Sequence, residues 1–561
     1  MTTIDDAARD RRAFWWFMAA ALVVLGAGIG LRDPWPPDEP RFALVARQML
    51  ESGQWLFPHR GIELYSDKPP LLMWCEAAVL WLFGGWRGAF LLPSLLAGLG
   101  SLVVVYRTGR RLWNARVGLL AAMLLLAAIQ FVDVIKHAQI DPLLLAWMTL
   151  GNAGVLVHCL RGPDWRAYWL GCFAAGLGVI TKGVGVLVLL MLLPYLWARL
   201  RRWPGVTRTH GDGWRWAGGA LAFVLPVALW LVPMLVTAYG MQRPEYLAYV
   251  HDLLFRQTAE RYANSWAHEE SWWFFGLVML RDWFPVCLLV PLLVPAWRRA
   301  LAAGEARVLL PLAWWLLALV FFSIPSGKRE IYLLPALPMA VLAMAPFVDG
   351  LLARRWFSRA ALALGVVTGL VFVAAGAWAM LAHPHAAQRI VAGYELTDGR
   401  ALWWSAIGVG GLFLLAAAWF RARRGALALL VGLGAAWVGW SCATYPLLND
   451  NQSLRDVMRR ADAHLGADGE LALVQWREEL LLQARRPVRE FGFSRTAARQ
   501  MRDALAWQAR APQRRWILAD SDALVPCIDP ARAVRVGMAN RNVWWMFQAT
   551  AVRPGCTPPD P

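Results

Sequence analysis

The sequence predicts a polytopic α-helical membrane protein that carries a small α/β domain at its C-terminal end. Of its 561 residues, 58% are hydrophobic and only 17% are charged, and the mean hydropathy is +0.43. Soluble domains carry more charge than this. Apolar runs of roughly 16–22 residues recur along the chain, close to the ~20 residues with which a helix crosses a bilayer. The 35 tryptophans agree with this class, because indole rings favour membrane interfaces.

We predict about thirteen membrane-spanning helices from these runs. The first run, 14–31, follows three arginines and resembles a signal peptide, but the many later runs favour an uncleaved first helix. The other predicted spans lie near residues 87–106, 117–132, 142–160, 167–181, 184–199, 217–238, 272–296, 308–323, 331–349, 360–381, 401–420 and 426–445.

Arginine-rich loops set the expected orientation, because cytoplasmic loops of membrane proteins are enriched in basic residues. Every second connection carries such a cluster: RTGRR with Arg116, Arg161 with Arg166, RLRRW, WRRAL, ARRWFSR and FRARR. The N-terminus is therefore expected in the cytoplasm, and the remaining loops and the tail outside it. These loops also account for the net charge of +18, so we expect no nucleic-acid partner.

The apolar segment 71–83 is short and contains Glu76. If it crossed the membrane, every later loop would change sides, so we predict an interfacial helix instead. Segment 41–50 is also amphipathic. Together they make residues 32–86 a long outer loop within a membrane domain that spans residues 1–445.

The tail, residues 446–561, is polar and has no spanning run. LALVQW, RRWILAD and VWWMFQA read as strands and RTAARQMRDALAWQ as a helix, which predicts a small α/β domain outside the membrane. Cys527 and Cys556 lie in this tail and can form a disulfide if it faces an oxidising compartment.

Charged residues at membrane boundaries are costly and tend to mark function. The stretch RDPWPPDEPRFA, residues 32–43, places Asp38 and Glu39 among prolines that restrict the backbone. All four lysines of this arginine-rich chain, Lys68, Lys136, Lys182 and Lys328, lie at predicted outer boundaries. Cations there can bind phosphate, and nearby carboxylates can bind hydroxyl groups, an ammonium group or a metal.

Five stretches carry a family resemblance: DEPRFA at 38–43, SDKPPLLMW at 66–74, QIDPLLLAW with Asp141, ITKG at 180–183 and SGKREIYLLPALP at 326–338. They resemble the lipid-linked-sugar glycosyltransferases of the GT-C fold. Within that group the chain is similar to the bacterial aminoarabinose lipid A transferases (ArnT type), which are related to the protein O-mannosyltransferases.

The resemblance implies a donor, undecaprenyl phosphate carrying 4-amino-4-deoxy-L-arabinose, and an acceptor, a lipid A phosphate. Such transfer lowers the negative charge of lipid A and gives resistance to cationic peptides such as polymyxin. It implies a multi-pass protein of the bacterial inner membrane, surrounded by membrane lipids, with a periplasmic C-terminal domain. We expect a monomer and no required cofactor, although a divalent metal stays open because close relatives have been seen with one.

The resemblance matches Lys68, Lys328, Arg329 and Tyr332 to positions near the donor phosphate, and the chemistry of the reaction indicates what the outer residues are expected to do. Cations stabilise the negative charge that grows on a leaving phosphate, and a carboxylate stabilises an oxocarbenium-like sugar. The candidate catalytic residues are Asp38, Asp141 and Glu39. The candidate substrate-binding residues are Lys68, Arg41, Tyr65, Lys182, Arg256, Arg261, Lys328, Arg329 and Tyr332. The candidate metal ligands are Glu39, Asp67 and His268.

Two other functions remain open. The first is a protein O-mannosyltransferase or another sugar transferase that uses a polyprenyl-phosphate donor. The second is a transporter or flippase for a lipid-linked sugar. A transporter is expected to carry polar residues on both sides of a midplane site, whereas the charged residues here collect on one predicted side.

Overall fold

The computed structural model describes residues 4–85, 87–260, 269–396, 398–524 and 527–555. In this part of the chain most residues are helical. The helices that precede segment 261–268 are α1 (Ile4–Gly26), α2 (Glu39–Ser52), α3 (Leu71–Phe83), α4 (Leu92–Leu112), α5 (Ala115–Ala127), α6 (Ile129–Ile135), α7 (Ile140–Arg161), α8 (Trp165–Lys182), α9 (Leu192–Leu200), α10 (Gly213–Met241) and α11 (Pro244–His251). A short hairpin of β1 (His59–Arg60) and β2 (Glu63–Leu64) lies between α2 and α3.

The helices that follow that segment continue to residue 509. They are α12 (Phe274–Asp282), α13 (Leu289–Ala302), α14 (Ala306–Ser323), α15 (Leu337–Leu352), α16 (Arg355–Ala382), α17 (His385–Gly393), α18 (Arg400–Phe420), α19 (Gly425–Gln452), α20 (Arg455–Leu465), α21 (Glu478–Gln483) and α22 (Ala497–Ala509). A π-helix covers Asp252–Glu260, and the longer 3₁₀ helices are Val184–Met191 and Glu330–Ala336.

The protein is a multi-pass membrane protein. Among the described residues, eight helices are long and apolar enough to cross a membrane, or up to ten if each of two bent helix pairs counts as one span. This is fewer than the thirteen that the apolar runs predict. The helix Leu71–Phe83 has 13 residues and, at ~1.5 Å per residue, is too short to cross the ~30 Å core.

Bends within helices and charged residues at helix ends explain why fewer spans are found than the apolar runs predict. The predicted span 117–132 is bent by 70° between α5 and α6, and the predicted span 272–296 is bent by 111° between α12 and α13. The run 184–199 is divided between a 3₁₀ helix and α9. The helix α1 begins with the charged residues of IDDAARDRR, so only its second half is apolar. The pattern of apolar residues shows how long an apolar run is, but it does not show where a helix within that run bends or ends.

The C-terminal part contains a five-stranded mixed sheet in the order β4 (Val488–Arg489), β3 (Glu470–Val474), β5 (Arg515–Asp520), β7 (Asn542–Phe547) and β6 (Val534–Ala539). β3 is parallel to β4 and β5, while β7 is antiparallel to β5 and β6. The strands predicted from sequence coincide with β3, β5 and β7. The last membrane helix, α19, continues to Gln452 and passes the boundary predicted at residue 445.

The C-terminal part packs on the loop that follows α1. Ala43 and Leu44 of α2 share a hydrophobic cluster with Leu480 and Leu481 of α21. Asp33 is buried and receives a hydrogen bond from Gln483 at 2.9 Å, besides an ion pair with Arg455. The C-terminal part is therefore packed against the start of α2, where Asp38 and Glu39 lie.

Candidate functional site

Glu39 is buried and fixes the start of α2. One of its oxygens accepts hydrogen bonds from Arg32 at 2.5 Å and the Trp35 amide at 2.7 Å. The other accepts from Arg32 at 2.7 Å and the Ala138 amide at 2.9 Å. Burial opposes its ionisation, but Arg32 outweighs that effect and the pKa of Glu39 is below its ordinary value. With both oxygens occupied, Glu39 has the surroundings of a structural residue rather than a catalytic one.

Asp38 differs from its neighbour because it is only partly buried. Its Oδ1 lies 3.7 Å from Arg41 and its Oδ2 lies 3.9 Å from Arg329. Both distances exceed a normal hydrogen bond. The carboxylate is thus held between two cations and keeps the capacity to accept hydrogen bonds from another group.

Arg41 lies at the centre of a charged cluster. Its Nε is 3.2 Å from Oε1 of Glu478, which also pairs with Arg60 at 2.6 Å. Burial favours the neutral form of Arg41, but Tyr65, Glu478 and Asp38 hold its pKa above the ordinary value. Tyr65 is fully buried beside it, and this burial raises the pKa of the phenol.

A second cluster forms where α7 begins and α8 ends. Nζ of Lys182 lies 2.5 Å from Oδ1 of Asp141 and 4.8 Å from the ring centre of Tyr332. An ammonium group has three donors, so two of the Lys182 donors remain for other acceptors. Asp141 is 6% exposed, and the pairing suits it to orient Lys182.

One short turn connects the two clusters. The amide of Tyr332 donates to the carbonyl of Arg329 at 3.1 Å. Arg329 faces Asp38, and Tyr332 faces Lys182. The preceding Lys328 is buried and donates to the carbonyl of Glu270 at 2.8 Å. The stretch that resembles the family thus brings Asp38 and Asp141, which are far apart in sequence, to two sides of one turn.

The remaining candidates have less definite surroundings. Asp67 and Lys68 are partly buried just before α3. Arg256 is exposed, and its ion pair within the described residues is with Asp252 at 3.8 Å. The predicted Arg261 and His268 lie outside the described residues, as does Cys556. Cys527 is disulfide-bonded.

The described residues offer no clear metal centre. Within the part of the chain that the structure describes, no three His, Cys, Asp or Glu side chains are grouped to hold a metal ion. Glu39, one predicted ligand, has both oxygens bonded to Arg32 and to amides. Glu39 therefore has no oxygen left to bind a cation.

The sequence did not reveal three charged residues of the site. Arg32 holds Glu39, while Glu478 pairs with both Arg41 and Arg60. Arg60 also stacks on Phe493 at 3.9 Å. Arg32 lies in the same stretch RDPWPPDEPRFA as Glu39. Its positive charge, opposite to that of Glu39, could have predicted this pair. Glu478 lies 437 positions from Arg41, and nothing local in the sequence connects them.

Comparison with protein families gives a match over residues 67–230 to the model described as dolichyl-phosphate-mannose-protein mannosyltransferase. This segment contains Lys68, Asp141 and Lys182, but it covers less than half of the chain. By fold, the chain is similar to the crystal structure of ArnT from Cupriavidus metallidurans bound to undecaprenyl phosphate. The TM-score is 0.72 at 19% identity, over 96% of this chain and 99% of the other. At this identity the likeness shows the GT-C membrane fold.

Sequence comparison finds relatives named undecaprenyl phosphate-alpha-4-amino-4-deoxy-L-arabinose arabinosyl transferase. The one from Edwardsiella ictaluri is 30% identical over 60% of this chain and 60% of its own length, so the match spans less than two thirds of that relative. The second such protein of Sodalis glossinidius is 30% identical over 72% of this chain and 73% of its own length. This identity and coverage show that the chain belongs to the undecaprenyl phosphate-alpha-4-amino-4-deoxy-L-arabinose arabinosyl transferase family.

Proposed function

We propose that this chain is a glycosyltransferase that moves 4-amino-4-deoxy-L-arabinose from undecaprenyl phosphate to a phosphate group of lipid A. The observation that carries the proposal is the arrangement around the turn 329–332. Arg329 lies 3.9 Å from Asp38, while Tyr332 lies beside the Lys182–Asp141 pair. Cations and a partly free carboxylate therefore stand close together, as a sugar phosphate donor requires.

The proposed reaction exchanges one phosphate for another at the anomeric carbon. An oxygen of the lipid A phosphate forms a bond to C1 of the aminoarabinose, and the bond between C1 and the undecaprenyl phosphate oxygen breaks. The electron pair of that bond leaves with undecaprenyl phosphate, whose negative charge increases. Fixed cations stabilise such developing charge, and the loss of one contact of this kind costs about 100-fold or more in rate.

The residues divide into two proposed roles. Lys68, Lys182 and Arg329 bind the donor phosphate, and Asp141 positions Lys182 through their short ion pair. Asp38 faces the sugar, where it balances positive charge on the ring or binds the amino group. An acceptor phosphate is already an anion, so a general base is not needed, whereas a protein hydroxyl as acceptor needs one.

We place the reaction at the periplasmic face of the bacterial inner membrane, with the N-terminus in the cytoplasm. The arginine distribution supports this orientation. The candidate site lies at the end of α7 opposite the end that carries Arg161, next to Arg166 in the first turn of α8. We propose that the C-terminal part covers the site as a periplasmic domain, because Glu478 contacts Arg41, and that the protein works as a monomer among membrane lipids.

The test is transfer by the purified full chain in lipid vesicles that contain the donor lipid and lipid A, with mass spectrometry of the products. The proposal expects lipid A that is heavier by one aminopentose. Unmodified lipid A with intact donor contradicts it. If the donor instead moves between leaflets without chemical change, the transporter alternative replaces it.

A second candidate is transfer of a sugar to a protein hydroxyl. It is favoured by the match of residues 67–230 to the dolichyl-phosphate-mannose-protein mannosyltransferase model. A hexose on a serine or threonine of an acceptor peptide supports this candidate. The rate–pH profile also separates the two. A rise of the rate with pH that disappears in Asp38→Asn identifies Asp38 as a general base, as a hydroxyl acceptor requires.

A further inference from the structure

A cavity of about 450 Å³ lies at the membrane face opposite the candidate site. It is formed where α7 ends and where α8 and α10 begin. α7 has 22 residues and Asp141 lies in its first turn, so at ~1.5 Å per residue the cavity lies about 30 Å from the candidate site. The two sites therefore stand at opposite ends of the same helices.

Arginine and tryptophan dominate the walls of this cavity. The lining residues are Arg111, Arg161, Pro163, Asp164, Trp165, Arg166, Trp169, Trp214 and Arg215. Four of these residues are cationic and one is anionic. Arg111 pairs with Asp164 and Arg215 pairs with Asp212 at 3.4 Å, whereas Arg161 and Arg166 form no ion pair within the described residues. The cavity therefore keeps the positive charge of these two arginines.

The walls are held in place by specific contacts. Asp164 pairs with Arg111 at 2.7 Å and caps α8 through the amide of Ala167. The guanidinium of Arg215 lies 5.1 Å from the ring centre of Trp214, and its carbonyl accepts from Nε1 of Trp169 at 2.9 Å. These contacts distinguish the cavity from a loop whose arginines only reach into water.

The depth of the cavity in the membrane indicates the kind of ligand. α4, α7 and α10 are candidate membrane spans, and their ends at this face supply Arg111, Arg161 and Arg215. Tryptophan rings favour the level of lipid headgroups, and basic pockets between helix ends can bind anionic headgroups. A phosphate bound at this height is therefore most readily that of a membrane lipid.

We propose that this cavity binds the phosphate headgroup of an anionic phospholipid at the face opposite the candidate transferase site. The guanidinium groups of Arg161, Arg166 and Arg215 bind the phosphate oxygens, and the tryptophans pack against the glycerol region. The proposal is independent of the sugar or the acceptor on which the chain acts.

The test counts phospholipid bound to the purified full chain by native mass spectrometry, with phosphatidylglycerol and phosphatidylcholine titrated separately. Wild type is expected to retain phosphatidylglycerol in preference to phosphatidylcholine and to gain thermal stability from it. The double variant Arg166→Gln/Arg215→Gln is expected to bind phosphatidylglycerol about thirty-fold more weakly, because each arginine near an anionic lipid contributes about fivefold in affinity and the two contributions multiply.

The matched control is Arg354→Gln/Arg355→Gln, which removes two exposed arginines where the loop after α15 meets the start of α16, at the same face. It is expected to bind phosphatidylglycerol as wild type does. Equal affinity in the two double variants overturns the proposal, because general attraction by basic loops then explains the binding. Equal stabilisation by inorganic phosphate also overturns it, since the ligand is then not a lipid.

Discussion

Arg41 of α2 and Glu478 of α21 form an ion pair, with Nε and Oε1 3.2 Å apart. The pair connects the outer loop to the C-terminal part, and the same arginine lies 3.7 Å from Asp38. A residue of the C-terminal part therefore helps to place a cation next to the proposed catalytic carboxylate. Removing or loosening this part is expected to disturb the site directly.

Substitution Glu478→Gln is expected to lower kcat about tenfold with little change in KM for the donor, because Arg41 loses a charged partner that orients it. Glu478→Asp is expected to restore part of the rate. The control is Glu470→Gln on β3, whose partners are Arg514 and Arg515. The rates come from vesicle assays. Equal losses in Glu478→Gln and Glu470→Gln would show a general effect of the C-terminal part on folding.

Glu39→Gln is expected to destabilise the protein by about 3 kcal/mol, because it leaves the buried guanidinium of Arg32 without its charged partner. Thermal unfolding of the purified protein measures the effect. The matched control is Glu51→Gln, which breaks an exposed pair with Arg47 on the same helix and should cost less than about 0.5 kcal/mol. An unchanged Tm in Glu39→Gln, with activity lost, would instead support the catalytic role predicted from sequence.

Asp141 and Lys182 are expected to act as one unit. Asp141→Asn and Lys182→Gln should each lower the transfer rate, and the double variant should be little worse than the poorer single variant. The control cycle uses the exposed pair Arg116 and Asp349, which are 2.6 Å apart. Independent, additive losses at Asp141 and Lys182 would contradict a positioning role for Asp141.

Glu479 gives the protein a pH-dependent stability. Burial, assisted by the neighbouring Glu478, raises the pKa of Glu479 to about 7, whereas an unfolded glutamate has a pKa of about 4.3. Between these values the folded state binds more protons than the unfolded state, so stability falls as pH rises, by up to about 4 kcal/mol. Tm measured from pH 5 to 8 should therefore decrease for wild type.

The variant Glu479→Gln removes this titration and should show a flatter decrease of Tm over the same pH range. Its neutral amide resembles the protonated carboxyl, so the fold is expected to tolerate it. If wild type and Glu479→Gln lose stability in parallel between pH 5 and 8, then another group causes the pH dependence.

The sequence predicted the fold class well because its strongest signals are local. Apolar runs and arginine loops indicated a multi-pass membrane protein, and alternating patterns located β3, β5 and β7. The number of spans was less predictable. The bend of 70° between α5 and α6 occurs within one apolar run, where composition gives no sign that the helix stops.

For the candidate site, residue type was predictable but the role of each residue was not. Asp38 and Glu39 are adjacent and chemically alike, yet Glu39 turns inward to Arg32 while Asp38 remains partly exposed between Arg41 and Arg329. The direction of a side chain depends on what packs around it. Contacts between distant segments, such as that of Arg41 with Glu478, leave no local pattern in the sequence.

The central claim is that Asp38 and the cations around it form one catalytic site for transfer from a polyprenyl phosphate donor. The most direct measurement is the rate of sugar transfer by Asp38→Asn in vesicles that contain donor and lipid A. Asp133→Asn, which changes an exposed carboxylate on α6, serves as control. We predict at least ~100-fold loss in Asp38→Asn, an unchanged Tm and a near-normal rate in Asp133→Asn. A rate within about twofold of wild type for Asp38→Asn would contradict the account.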